Sequence, residues 1–88
     1  MRPSGRKTIN IMQQKIKGIL EGLRPEFDFG NGKDFIAEGM IDSFDLVNLV
    51  NELEENFDII IDGIDILPEN FSSLEAIEAL VNKSEKRG

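Results

Sequence analysis

Ile9, Met12, Ile16, Ile19, Leu20 and Leu23 recur at three- and four-residue spacing. This predicts an amphipathic helix from about Thr8 to Leu23, with Thr8 as its N-cap. Arg24-Pro25 ends it, because the residue before a proline is driven out of the helical region. Residues 24–42 hold Pro25, Gly30, Asn31, Gly32 and Gly39, and read as a long loop that Phe27, Phe29, Phe35 and Ile36 pin to the core. So long a connection in so short a chain marks a functional segment.

A second helix is predicted from Ser43 to about Phe57. Leu46, Leu49, Val50, Leu53 and Phe57 share one face, while Asp45, Asn48, Glu52 and Glu55 point the other way. Asp42 is the expected N-cap, and Asp45 completes a capping box with Asp in place of the usual Glu. The stretch FDIIIDGIDILPENF is extended and apolar, broken at Gly63, with a short helical turn starting near Pro68. Ile59 and Ile61 alternate as in a strand, but no partner strand is evident, so the segment reads as a buried connection. SSLEAIEALVNK opens with Ser72 and Glu75 at capping-box spacing and sets Leu74, Ile77 and Val81 on one stripe. The expected fold is all-α: a small antiparallel bundle of three main helices plus one short helix, forming one domain over residues 1–88. The ends, 1–7 and 84–88, are expected to fray.

Composition narrows the chemistry. The 88 residues contain no cysteine and no histidine, which removes disulfides, thiolate nucleophiles, Cys/His zinc sites and imidazole acid-base catalysis. No apolar run approaches the roughly 20 residues that span a bilayer. The basic start, MRPSGRKT, lacks the apolar core of a secretory signal, so a cytoplasmic monomer is expected. Net charge is −7, and from Glu26 to Asn82 there are fifteen acids and a single base, Lys33. That surface would repel nucleic-acid phosphates and attract basic protein partners.

Within the acidic stretch, Ser43 stands out. At about 100° per residue, with Ser43 at 0°, Leu46, Val50, Leu53 and Phe57 cluster near 310°, while Phe44 falls near 100° and Val47 near 40°. The predicted surface therefore has an apolar centre of Met40, Ile41, Phe44 and Val47 around the serine, rimmed by Asp42, Asp45, Glu52 and Glu55. A nucleophilic role would need a base beside the hydroxyl, and no histidine exists to supply one. As the first helical residue, the serine instead suits an attached anionic phosphate, which the helix N-terminus would stabilise. The plainer alternative, a serine that simply starts a helix beside a solvated acidic face, stays open on these grounds.

From Lys33 to Lys83 the chain resembles the acyl carrier proteins, including the D-alanyl and peptidyl carrier domains. GMIDSF resembles the loop-to-helix signature in which Asp-Ser opens the second helix. LVNELEENFDIII resembles the rest of that helix and the turn after it, and ILPENFSSLEAIEALV the short third helix and the start of the fourth. The resemblance implies a 4′-phosphopantetheine arm on Ser43, beside Asp42, transferred from coenzyme A by a separate phosphopantetheinyl transferase, the holo synthase. It also implies that the arm's thiol carries acyl or aminoacyl groups as thioesters, and that the protein is not itself an enzyme. Expected partners are that transferase, an acyl- or aminoacyl-activating ligase, and acyltransferases or synthases with basic docking patches. Met40, Ile41, Phe44, Asp45, Val47, Asn48, Asn51, Glu52 and Glu55 are the expected partner surface, with Ile61 and Ile64 beside them.

Many fatty-acid carriers have leucine after the serine and glycine three residues before it; here Phe44 follows, and Gly39 lies four residues before. Asn48 and Asn51 also replace an acid and an apolar residue. The pattern resembles the D-alanyl or peptidyl type, and so a dedicated pathway over bulk fatty-acid synthesis. If the cargo were fatty, Ile61, Ile64 and Leu67 would line its entrance to the bundle. Two rivals remain: an unmodified acidic adaptor, and a calcium loop in which Asp58, Asp62, Gly63 and Glu69 stand at EF-hand positions although Ile60 and Asp65 break the pattern.

Overall fold

The computed structural model describes residues 10–30 and 34–86. Helix α1 runs Ile11–Leu23, α2 Ser43–Phe57 and α3 Leu74–Lys83, with 3₁₀ turns at Gly63–Asp65 and Pro68–Phe71. This is the expected helical bundle, in which α1 packs against both α2 and α3.

Three local expectations need correction. The α1 cap is Asn10, whose side chain accepts the Gln13 amide at 2.7 Å; Thr8 and Ile9 lie outside the described residues, as do 1–7, the loop residues 31–33 and the terminal 87–88. The α3 cap is Ser73 and not Ser72: Ser73 Oγ accepts the Ala76 amide at 3.0 Å, while the Ser72 hydroxyl donates to the Glu69 carbonyl. Both serines precede the same apolar stripe, so their spacing alone could not separate them. Finally, Ile59–Ile60 is a short strand, β1, paired antiparallel with β2 at Glu85–Lys86. The partner lies in the segment expected to fray, and a two-residue ladder leaves no alternating pattern to detect.

The core is built from the predicted stripes and from the loop. Ile16 and Leu20 of α1, Leu49, Val50 and Leu53 of α2, and Ile77, Leu80 and Val81 of α3 are buried together with Phe29, Phe35 and Phe71. Phe29 meets Phe35 edge-on at 5.0 Å between ring centres and Phe27 at 6.3 Å, the favoured geometry for rings with opposed face and edge charge. Polar ties join the helices. Buried Gln13 and exposed Asn10 both donate to the Glu78 carboxylate, at 2.7 and 2.9 Å, linking α1 to α3. Lys15 donates to the Asn56 carbonyl and lies 4.9 Å from the Phe57 ring, placing a cation at the negative end of α2.

Candidate functional site

The approach to α2 is fixed by hydrogen bonds. Asp34 Oδ1 accepts the Ile36 and Ala37 amides, each at 3.0 Å, and the turn closes at Gly39, whose φ of +73° favours glycine. The buried Phe35 ring anchors this turn, the Phe35 amide donates to the Ser72 carbonyl, and the Phe35 carbonyl accepts from Met40 and Ile41. The loop thus delivers the chain to Asp42 at a defined point.

Asp42 is the cap. Its Oδ1 accepts the Asp45 amide at 2.9 Å, and Asp45 Oδ2 accepts the Asp42 amide at 3.3 Å, completing the predicted capping box. Above all the Asp45 amide, with the Arg24 charge adding to it, holds the Asp42 carboxyl below its ordinary value. Ser43, the first residue of α2, is exposed. It lines a shallow cleft of about 250 Å³ together with Ile36, Ile41, Asp42, Leu46 and Pro68. Ile36, Leu46 and Pro68 were not singled out as site residues, since they meet only through the fold.

The expected partner surface divides in two. Phe44 is 75% exposed, Val47 60% and Ile64 78%, and Asn51, Glu52 and Glu55 are also open, with Asn48 half-buried. Met40, Ile41 and Ile61 are instead core residues, each no more than 5% exposed, so they cannot form the apolar centre of an open surface. The helical projection does not extend beyond α2, and it could not report that the loop turns Met40 and Ile41 inward. With Ile61 enclosed, only Ile64 and Leu67 of the proposed cargo entrance remain exposed.

Asp45 also departs from expectation. Its side chain is only 13% exposed, and its Oδ2 accepts from Arg24 Nε at 2.7 Å. The same guanidinium reaches Glu26 at 2.8 Å and Asp42 at 3.6 Å, and lies 5.8 Å from the Phe27 ring. Nothing in the sequence signals this contact, because Arg24 and Asp45 are 21 positions apart.

The calcium-loop residues are dispersed. Asp58 is the left-handed C-cap of α2, Asp62 caps the first 3₁₀ turn, and Asp65 pairs with Lys83 at 3.1 Å. Among the described residues no group of acidic side chains is placed to hold a metal ion. Nor is any described helix long and apolar enough to cross a membrane.

An exposed hydroxyl beside a small apolar cleft, with no histidine or cysteine to activate it, suits a carrier domain on which other enzymes act. Residues 13–81 match the family described as "Phosphopantetheine attachment site", and the chain belongs to that family. It is similar to "Aminoacyl carrier protein 1" of Bradyrhizobium diazoefficiens, with 38% identity over 72 residues, covering 82% of this chain and 79% of that protein. No solved structure gave a significant match. The protein is a carrier and not an enzyme, and its domain is the site of a covalently attached 4′-phosphopantetheine group.

Proposed function

We propose that Ser43 is the attachment residue and that the protein carries aminoacyl groups for a dedicated pathway, presenting them to enzymes with basic docking patches. The observation that carries this reading is the placement of Ser43: exposed, first in α2, and on the wall of a small apolar cleft within the matched region. The residues present fit the group. A phosphate ester on Ser43 Oγ would lie at the positive end of α2, where the first-turn amides lack intrahelical partners. When bound, the arm supplies the thiol that holds the cargo as a thioester, which the chain itself cannot provide. Asp42 and Asp45 fix the start of the helix, and Ile36, Leu46 and Pro68 offer the arm an apolar wall.

The aminoacyl assignment is supported by the similarity to the Bradyrhizobium aminoacyl carrier protein. It is also supported by the packing near the turn after α2, where Ile61 is enclosed and Phe29, Phe35 and Phe71 fill the core. A short polar cargo needs no room inside the bundle. A phosphopantetheinyl transferase first modifies Ser43, and an amino-acid-activating ligase then charges the arm.

The test is incubation with coenzyme A and a broad-specificity phosphopantetheinyl transferase, followed by intact mass. The wild type should gain one pantetheine arm and Ser43→Ala none. A wild type that stays bare while remaining folded would favour the unmodified adaptor, and modification of Ser43→Ala would move the site elsewhere.

A further inference from the structure

Arg24 sits at the C-cap of α1 and pairs with its near neighbour Glu26, yet it also holds Asp45 and faces Asp42 at the start of α2. A partner cation seeking Asp45 would have to displace a 2.7 Å charge-assisted bond from a carboxylate that is already enclosed. Asp42 remains more open, but its carboxylate faces the same guanidinium at 3.6 Å. By contrast Glu52 and Glu55 are exposed on α2, and among the described residues neither pairs with a cation, Glu52 meeting only the side chain of Asn56. Seven residues separate Asp45 from Glu52, roughly 10 Å along a helix, comparable with the screening length at about 0.1 M salt. A partner can therefore distinguish the two ends.

We propose that Arg24 is a specificity-determining residue of the docking surface: by holding Asp45 and facing Asp42 from within the chain, it withdraws the carboxylates nearest Ser43 from recognition. The surface left for a basic partner is Glu52 and Glu55, with Phe44 and Val47 as its apolar seat. The partner that fits carries cations placed to meet the middle of α2 and an apolar pocket, not cations, near the serine. This inference rests on Ser43 being the modified residue.

The experiment measures KM and kcat for modification of the full chain by the transferase, with coenzyme A saturating, at low and high salt. In Arg24→Gln the two acids are released to the partner. KM at low salt should fall about two- to fivefold, the range of a single exposed ion pair, and should rise more steeply with salt than in the wild type. Arg24→Lys restores the charge and should return KM to the wild-type value. Lys17→Gln removes the same unit of charge from the pair with Glu21 on α1 and should leave KM unchanged. Glu52→Gln should raise KM. If Arg24 only braces the fold, Arg24→Gln will leave KM unchanged or raise it while thermal stability drops, and the inference is overturned. An equal fall in Lys17→Gln would reduce the effect to net charge and also overturn it. Failure to modify any chain would instead refute the assignment of Ser43.

Discussion

Phe44, the proposed apolar seat for a partner, is the most informative residue to truncate, because its exposure separates docking from folding. It is three-quarters exposed on the first turn of α2, so Phe44→Ala should change folding stability by less than about 0.5 kcal/mol, as for other surface substitutions. A phenylalanine offers roughly 200 Å² of side-chain surface. If a partner covers half of the exposed part, roughly 75 Å² leaves water, worth about 2 kcal/mol at ~25 cal/mol per Å². That corresponds to about thirtyfold in affinity. The assay is transferase kinetics with the carrier as varied substrate: KM should rise about thirtyfold, with kcat nearly unchanged because Ser43 and its cap are intact. Unfolding in urea should be unaltered. A KM within twofold of wild type would show that the partner does not cover Phe44, and would refute the apolar seat drawn from its exposure.

The remaining predictions concern the scaffold. Ser73→Ala should cost about 1 kcal/mol by removing the α3 cap, whereas Ser72→Ala should cost clearly less; equal midpoints in urea would contradict the cap observed at Ser73. Leu49→Ala, emptying a fully enclosed position on α2, should lose about 3 kcal/mol by the same measurement. Gly39→Ala should cost about 1–2 kcal/mol from its backbone conformation alone, since an added Cβ meets nothing within 4 Å; an unchanged midpoint would mean that the turn relaxes. Asp42 is held below its ordinary value chiefly by the Asp45 amide, and Glu26 chiefly by its own amide. Both therefore add stability that is complete above the ordinary carboxyl values near pH 4 and is lost as the pH falls through their lowered folded values. Asp42→Asn should flatten that acid limb, and limbs of equal slope would count against the capping geometry.

The apolar stripes of the helices and the α2 cap were legible in the sequence, whereas the α1 and α3 caps and the parts made by distant residues were not. The α2 stripe and its capping box follow from spacings of three and four residues, and both occur where those spacings put them. The loop phenylalanines were readable as anchors because rings so large in a short acidic chain have few places to be buried. The β1–β2 pair joins segments 25 or more positions apart through two residues each, too little to impose a pattern. Met40 and Ile41 show a further limit: their apolar character was read correctly, but the side they face depends on hydrogen bonds to the Phe35 carbonyl, which a projection of α2 does not contain.

Ser43 is exposed and yet held in place, and the two properties come from different elements. Exposure comes from its position as the first residue of α2, away from the Leu49, Val50 and Leu53 face. Its position comes from three constraints that meet one residue earlier: the reciprocal Asp42–Asp45 bonds, the Arg24 guanidinium arriving from the end of α1, and the 34–39 turn tied through Phe35 to Ser72. None of the three uses the serine hydroxyl, which makes no hydrogen bond among the described residues. A carrier needs this division, because an acceptor oxygen engaged in local structure would have to be released before each modification. It also makes the scaffold and attachment roles separable: Ser43→Ala should abolish modification while leaving the urea midpoint within about 0.5 kcal/mol of wild type. A larger loss of stability in that variant would mean that the hydroxyl helps to fold α2, and would count against the separation of roles proposed for Ser43.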